Sequence, residues 1–192
     1  MSKYVTRIGK LAVMAAAMAL PASAGDYPER PVSLMVAYSP GGATDFQARI
    51  VTMVAANDEY LGQPIVIINK PGAGGKVGWN KFASGAKKDG YELAAYNVPH
   101  FIAQSIKFKT KYNIDNLEPI ANWGADPAVF VVNRDSPFNT LKDVQDFAKA
   151  NPGKITVSGA GLFVGHHIAF LQIQNALGEK LKYVPHKGGA PA

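Results

Sequence analysis

Three glycine-rich segments are the residues of this 192-residue sequence whose types and spacing suit ligand binding. They are residues 40–44, 71–75 and 159–165, and each follows a short apolar run and precedes a helix-like pattern. Main-chain N–H groups at a helix N-terminus have no partner within the helix, and glycine leaves them open to a ligand. The chemistry that these segments favour is therefore the binding of a carboxylate or a phosphate by backbone donors.

The spacing of these glycines does not match the nucleotide-binding motifs. A G-x-G-x-x-G motif would need glycine at the positions of Val77 and Val164. A P-loop would need glycine at the position of Lys70 and a hydroxyl side chain at that of Val77. A plain tight turn is the alternative for any one segment, but three segments at equivalent positions favour a shared binding role.

Two further kinds of chemistry have weaker support. His166 and His167 are adjacent, so on a helix their side chains point about 100° apart and are poorly placed to share a metal ion. Asp45 or His167 could serve as a base in a hydrolase or an isomerase, but no G-x-S-x-G motif accompanies them. The absence of cysteine excludes disulfides, thiolate metal sites and a cysteine nucleophile. We therefore expect no metal, no cofactor and no enzymatic activity.

Alternating strand and helix patterns place the three segments at the carboxyl ends of strands. Strands are predicted at 32–37, 65–68, 91–96, 129–132, 155–158 and 182–184. Helices are predicted from residue 44 to Gly62, over 76–84, from Asn139 or Thr140 to 150, and over 165–177, whereas 107–116 is interpreted as a loop. This alternation predicts α/β layers with parallel strands, whose carboxyl ends bind ligands.

The first helix pattern has two possible starts. Its apolar residues recur at helical spacing, at Phe46, Ile50 and Val54. Thr44 could be the N-cap, with Gln47 completing a capping box. Alternatively, Asp45 lies in the first turn, where a carboxylate suits the positive end of the helix dipole.

Residues 1–24 have the three parts of a cleavable secretory signal peptide. Residues 1–10 carry three basic and no acidic side chains, residues 11–20 are all apolar, and Ala22-Ser23-Ala24 forms an A-x-A ending. Ten apolar residues span about 15 Å as a helix, half a bilayer core, which argues against a membrane anchor. Cleavage after Ala24 would change the net charge from +6 to +6 − 3 = +3. Such a charge without a basic patch argues against nucleic-acid binding.

Ordered motifs along the chain resemble the Bug proteins, the extracytoplasmic solute receptors of tripartite tricarboxylate transporters. They read YSPGGATD at 38–45, NKPGAGG at 69–75, DGY at 89–91, ANPGK at 150–154 and VPHKGGAPA at 184–192. The resemblance covers essentially all of the chain after residue 24. It implies a periplasmic, monomeric protein with an α/β, type II periplasmic-binding-protein-like fold, in which two lobes carry mostly parallel sheets. Lobe 1 would span residues 25–125, and a partial lobe 2 would span 126–192.

The resemblance also implies which residues bind the ligand. In this family a carboxylate is held between a Pro-Gly-Gly-x-x-Asp loop and a glycine-rich loop of the other lobe, here residues 39–45 and 159–167. The first loop and the second would contribute backbone N–H groups, and Asp45 would order its own loop rather than touch an anion. The candidate ligand-binding residues are Tyr38, Ser39, Gly41, Gly42, Ala43, Asp45, Ala73, Asn97, Gly161, Leu162, Phe163 and His167.

The sequence departs from the family pattern in two places. The second loop commonly reads Gly-x-Gly-Ser-x-x-His, and here Phe163 and Val164 stand where Gly-Ser is usual. This change removes a hydroxyl donor and adds a ring, which predicts a ligand less polar or more aromatic than a citrate-like acid. Family members also continue beyond the last motif of this chain, so we interpret the sequence as a truncated product or a fragment with an incomplete second lobe.

The predicted function is the capture of a small carboxylate between two lobes and its delivery to the membrane subunits of a tripartite tricarboxylate-type transporter. One alternative is an extracytoplasmic hydrolase or isomerase that uses Asp45 or His167 as its base. A second alternative is a ligand-sensing module for a signalling partner, which the sequence does not separate from a transport receptor.

Overall fold

The computed structural model describes residues 27–192. The predicted signal peptide at 1–24 lies outside the described residues. The strands are β1 (Val32–Val36), β2 (Ile65–Asn69), β3 (Glu92–Ala95), β4 (Thr156–Gly159) and β5 (Lys182–Pro185). The helices are α1 (Ala43–Ala55), α2 (Lys76–Gly85), α3 (Val98–Lys107), α4 (Leu141–Ala150) and α5 (Gly165–Leu177), and a 3₁₀ turn spans Ala73–Gly75.

The first sheet has the strand order β2-β1-β3, and both pairs are parallel. Leu34 at its centre lies opposite Ile67 on one side and Leu93 on the other. The largest buried side chain behind this sheet is Trp79, which is 0% exposed and donates its indole N–H to the carbonyl of Ala95 over 2.9 Å. The central position of β1, with a strand on each side, explains why four of its five residues are apolar and buried; the exception is Ser33.

The second sheet pairs β4 with β5, also in parallel, with Val157 opposite Tyr183. Its core consists of Val144, Ala148, Ile155, Phe170 and Leu181. Helix α4 begins at the Thr140 N-cap, where the Thr140 hydroxyl accepts the Asp143 N–H and the Asp143 carboxylate accepts the Thr140 N–H. The prediction of parallel strands alternating with helices is therefore confirmed in both sheets.

Helix α1 differs from its prediction in its cap and in its buried face. Its N-cap is Gly42, without a side-chain bond, so the Thr44 capping box is wrong and Asp45 lies in the first turn. The helix ends at Ala55, before Gly62. The apolar residues Phe46, Ile50 and Val54 are exposed, whereas Asp45, Ala48 and Thr52 are buried. On this buried face the Asp45 carboxylate accepts a hydrogen bond from the Asn69 side chain at the end of β2, so a polar residue can face the sheet.

Two other elements differ from the sequence analysis. The strand predicted at 129–132 is wrong: Val129 and Val131 are 82% and 80% exposed, and neither sheet of the described residues offers this segment a pairing partner. An apolar run alone cannot specify a strand, because the backbone also needs a neighbour. Helix α3 was not predicted. Its Pro99 lies in the first turn, where the missing N–H costs no helical hydrogen bond.

Within residues 27–192, no helix combines the length and the apolar character that crossing a bilayer would require.

Candidate ligand-binding site

An open cleft of about 650 Å³ lies where the second and third glycine segments meet, beside the residue that precedes the first. The second segment contributes Ala73 and Gly74, the third contributes Gly161 and Leu162, and Ser39 lies directly before the first segment. The remaining lining residues are Lys76, Phe108, Pro185, His186, Lys187 and Pro191. The second and third segments therefore meet at this cleft although the two sheets that carry them are separate, whereas the first segment reaches it only through the preceding Ser39.

Asp45 orders the first segment through a dense set of hydrogen bonds. Its carboxylate accepts the Gly41 N–H over 2.9 Å, the Asn69 side-chain amide over 2.9 Å, and two N–H groups of Arg49 over 2.9 and 3.0 Å. The pKa of Asp45 is lowered to about 2, chiefly by the hydrogen bonds from Arg49. The Gly41 N–H and the Asn69 amide lower it further, and together these donors outweigh the effect of burial, which raises the pKa. A carboxylate held in this way orders its loop and is a poor proton acceptor at neutral pH.

The N–H groups of the first segment are only partly available. The Gly41 N–H is occupied by Asp45, and the Gly42 N–H is 3.4 Å from the carbonyl oxygen of Ser39. Ala43 is exposed at the first position of α1, where an N–H has no helical partner. Gly41 and Ala43 line a second, separate cavity of about 510 Å³ with Asp45, rather than the main cleft.

The third segment uses histidine side chains as internal acceptors. His167 Nδ1 accepts the N–H of Phe163 over 3.1 Å, and His166 Nδ1 accepts the N–H of Ala160 over 3.2 Å. Burial lowers the pKa of His167, and its ring lies 4.8 Å from that of Tyr183, so it supports the loop from behind. Of the predicted donors here, the Phe163 N–H is therefore occupied.

The second and third segments approach each other so closely that glycine is required. A Cβ on Gly161 would lie 3.0 Å from Gly74 Cα, and one on Gly74 would lie 2.7 Å from Gln104 Nε2. Ala73 and Phe163 are the non-glycine residues of the described chain with positive φ, at 48° and 57°. Both lie at this junction, and a left-handed backbone of this kind is typical of functional loops.

Gln104 joins the two segments and was missed by the sequence analysis. Its buried side-chain amide donates to the carbonyl oxygens of Gly74 over 3.0 Å and Leu162 over 3.2 Å. Its Oε1 accepts the Tyr112 hydroxyl over 3.1 Å, which fixes the orientation of the amide. On α3, Gln104 lies three positions after Phe101, so a polar residue on the apolar face of the helix could have indicated a buried hydrogen-bonding role. Because α3 itself was not predicted, this pattern could not be recognised.

Tyr38 and Asn97 lie behind the loops rather than in the cleft lining. The buried Tyr38 hydroxyl donates to the carbonyl of Gly74 over 3.2 Å and is 2.6 Å from His100 Nδ1. Because one hydroxyl proton cannot serve both bonds, we assign the His100 proton to Nδ1. Burial lowers the pKa of His100 to about 4, so it is neutral. Asn97 donates to the Thr44 hydroxyl over 3.4 Å.

The charge of the cleft is positive. Lys76 and Lys187 line it, and no carboxylate side chain belongs to its lining. Helices α2 and α5 both begin beside the cleft without an acidic residue in the first turn. A concave surface with cations and helix N-termini attracts anions. Residues 27–192 contain no group of three His, Asp or Glu side chains arranged to bind a metal ion.

Comparisons with known proteins give a consistent result. The model of the family described as tripartite tricarboxylate transporter family receptor matches residues 48–192. Protein BugT of Bordetella pertussis is 31% identical over 195 residues, covering 100% of this chain and 59% of its own length.

Two solved structures resemble the chain. One, described as the structure of a periplasmic transporter, is 31% identical with a TM-score of 0.75, covering 86% of this chain and 55% of its own. The other is MatC from Rhodopseudomonas palustris with bound malate, 28% identical with a TM-score of 0.76, covering 86% of this chain and 56% of its own. The chain thus spans 55–59% of the length of these relatives.

Proposed function

The chain belongs to the tripartite tricarboxylate transporter receptor family, and from this premise we propose that it captures a small organic acid for a transporter of that type. The resemblance to Bug proteins and the predicted periplasmic-binding-protein-like α/β fold with parallel sheets are both confirmed. The family is one of periplasmic receptors, which implies a periplasmic location. The signal peptide, its cleavage after Ala24, the lobe boundary at 125/126 and the monomeric state remain predictions.

The positive cleft at the meeting of the second and third glycine segments carries this proposal. Its lining contains Gly161 and Leu162 of the third segment together with Lys76 and Lys187, and it contains no carboxylate side chain. A small acid that enters it gains charge-assisted hydrogen bonds without like-charge repulsion. The related MatC structure contains malate, and carboxylates are therefore the first class of ligand to test.

We assign the residues different roles in this proposal. Gly161, Leu162 and Ser39 lie on the cleft and would contact the acid directly. Asp45 and His167 would act indirectly, because each holds a loop N–H in place. Direct contacts of Gly41, Ala43 and Phe163 would need a rearrangement, since two of these N–H groups are occupied and Ala43 faces the second cavity.

Binding without turnover is part of the proposal. The family and its structural neighbours are binding proteins. The hydrolase alternative needs Asp45 or His167 as a base, yet Asp45 has a pKa of about 2 and His167 Nδ1 is already an acceptor. Incubating the protein with a bound acid and recovering that acid unchanged by NMR is the expected result, and any product would contradict it.

A calorimetric and thermal-shift screen tests the binding itself. The full chain is titrated with mono-, di- and tricarboxylic acids, aromatic acids and phosphate, with the matching amides as neutral controls. Binding at 100-fold excess over Kd adds about 2.7 kcal/mol of stability, or about 5–10 °C in Tm. Lys187→Glu places a negative charge in the cleft and should abolish the shift, whereas Lys180→Glu outside the lining should preserve it. A flat response to every acid would refute the proposal.

Delivery to membrane subunits is the remaining part of the proposed function. It is supported by the name of the family, a transporter receptor. Uptake of the identified acid by cells that carry this gene and the neighbouring membrane subunits is expected to stop when the gene is deleted. Unchanged uptake with loss of a transcriptional response would instead favour the sensing alternative.

A further inference from the structure

Lys76 carries an uncompensated positive charge in the cleft. It is the first residue of α2, where the helix dipole disfavours a cation, and the first turn of this helix has no acidic residue. None of the salt bridges among residues 27–192 includes Lys76. A bound anion would therefore meet the Lys76 ammonium without competition from a carboxylate of a salt bridge.

The ammonium of Lys76 lies over an aromatic face. Its Nζ is 4.0 Å from the centroid of the Phe108 ring, a cation–π geometry. The Phe108 ring is held from behind by Phe163, edge to face, with 5.2 Å between centroids. Both Lys76 and Phe108 line the cleft, so a cation and an apolar wall adjoin each other there.

The cleft lining also includes four other apolar residues, Ala73, Leu162, Pro185 and Pro191, which together with Phe108 are called its apolar wall. Its polar side chains are those of Ser39, Lys76, His186 and Lys187. A hydroxyl group of a ligand placed against this wall would lose its water without gaining a partner, which weakens binding. A hydrocarbon or aromatic body would instead bury apolar surface.

We propose that Lys76 and Phe108 form a specificity subsite for the distal end of the ligand. Lys76 pairs with a second negatively charged group, and Phe108 contacts the apolar body between the two charged groups. The ligand class is therefore a dicarboxylate with a hydrocarbon or aromatic spacer. This inference rests on the proposed function, because it assigns the first carboxylate to the glycine segments.

Comparing two acids in two proteins tests this pairing. Adipate and hexanoate have six carbons each and differ by one carboxylate. Lys76→Gln should weaken the binding of adipate about tenfold, as expected for the loss of a hydrogen bond to a charged group. It should weaken the binding of hexanoate less than twofold. Lys81→Gln, on the exposed side of the same helix, should change neither affinity, and Lys76→Arg should retain adipate.

The role of Phe108 has its own measurement. Phe108→Leu should keep most of the adipate affinity because it retains an apolar contact. Phe108→Asn removes that contact and should lower the affinity for adipate several-fold. Should the Asn variant fail to fold, the wild-type protein still decides the question. It should bind adipate several-fold more tightly than 3-hydroxyadipate, and equal affinities would overturn the apolar contact.

Two results would overturn the assignment of Lys76. An equal loss of both acids in Lys76→Gln would mean that Lys76 acts only through general charge. No loss of either acid would mean that it does not contact the ligand. In both cases the wild-type protein still binds acids, so the proposed function stands. Failure of the wild-type protein to bind any acid would refute the proposed function together with the subsite.

Discussion

Replacing Asp45 with asparagine removes one charge from a buried side chain while nearly preserving its shape. Asp45 is 2% exposed and accepts hydrogen bonds from Gly41, Arg49 and Asn69. The asparagine can offer only one oxygen to these donors, and its own NH₂ group faces at least one of them. We expect the first glycine segment to lose its order and the protein to lose stability.

The pKa of Asp45 sets the magnitude of this loss. It falls from 3.8 to about 2, chiefly through the hydrogen bonds from Arg49. A pKa difference of one corresponds to about 1.4 kcal/mol, so the charged form is favoured by at most about 2.5 kcal/mol. Because the Arg49 side chain is 54% exposed, solvent screening weakens the ion pair, and we take about 1 kcal/mol as the lower end of the expected loss. A loss of about 1–2.5 kcal/mol corresponds to about 2–10 °C in Tm.

The pH dependence gives the sharper assay. The unfolded chain binds the proton of Asp45 more readily than the folded protein, so this stabilisation is complete above about pH 4 and is lost as the pH falls towards 2. We expect the difference in unfolding free energy between wild type and Asp45→Asn, measured with urea, to be about half as large at pH 3 as at pH 7.

The matched control is Asp146→Asn, which removes an exposed i,i+4 ion pair with Lys142. It should change stability by less than about 0.5 kcal/mol. A difference between Asp45→Asn and wild type that is absent at pH 7, or that is equal at pH 7 and pH 3, would refute the reasoning.

Three further substitutions test the junction of the loops. Gln104→Leu leaves the Leu162 carbonyl and the Tyr112 hydroxyl without their Gln104 partner and removes one of the two donors to the Gly74 carbonyl, so it should cost about 2–4 kcal/mol in urea unfolding, whereas exposed Gln172→Leu should cost less than about 0.5. Gly74→Ala, at φ 63° with Cβ contacts under 3 Å, should lower both Tm and acid affinity, whereas Gly85→Ala meets nothing within 4 Å and should preserve them. Phe163→Gly should be about 1 kcal/mol more stable than Phe163→Ala, because only glycine relieves the left-handed backbone at φ 57°; equal stability would contradict the assigned strain.

The elements of the fold were largely predictable, and the errors have identifiable causes. Helix α5 was predicted with its observed bounds, Gly165–Leu177, because apolar spacing and a terminal Gly178 are local signals. The buried face of α1 was not predictable from spacing, since Asp45 and not Phe46 faces inwards. The strand expected at 129–132 failed because pairing is a non-local property.

The candidate site was predictable in location but not in detail. Glycine at the ends of parallel strands marked the loops that meet at the cleft, and glycine is required there because Gly74 and Gly161 nearly touch. Gln104, Lys76 and Phe108 were missed, since none of them belongs to a glycine segment or to a catalytic motif. Phe163 was noted as a departure from the family pattern, and its positive φ explains why glycine is usual at that position.

The sequence by itself determined the alternating α/β elements, the three glycine segments and the family, because helical periodicity, turn residues and ordered motifs are properties of the linear chain. Only the tertiary structure decided which N–H groups remain free for a ligand. Gly41 and Phe163 both carry a backbone donor of the expected kind, yet Asp45 and His167 occupy them. The sequence does not show that Lys76 lines the cleft. The structure places it at the start of α2, over the Phe108 ring and without an acidic residue in the first turn of the helix. Hydrogen-bond occupancy and local charge depend on neighbours in space, and spacing along the chain does not specify them.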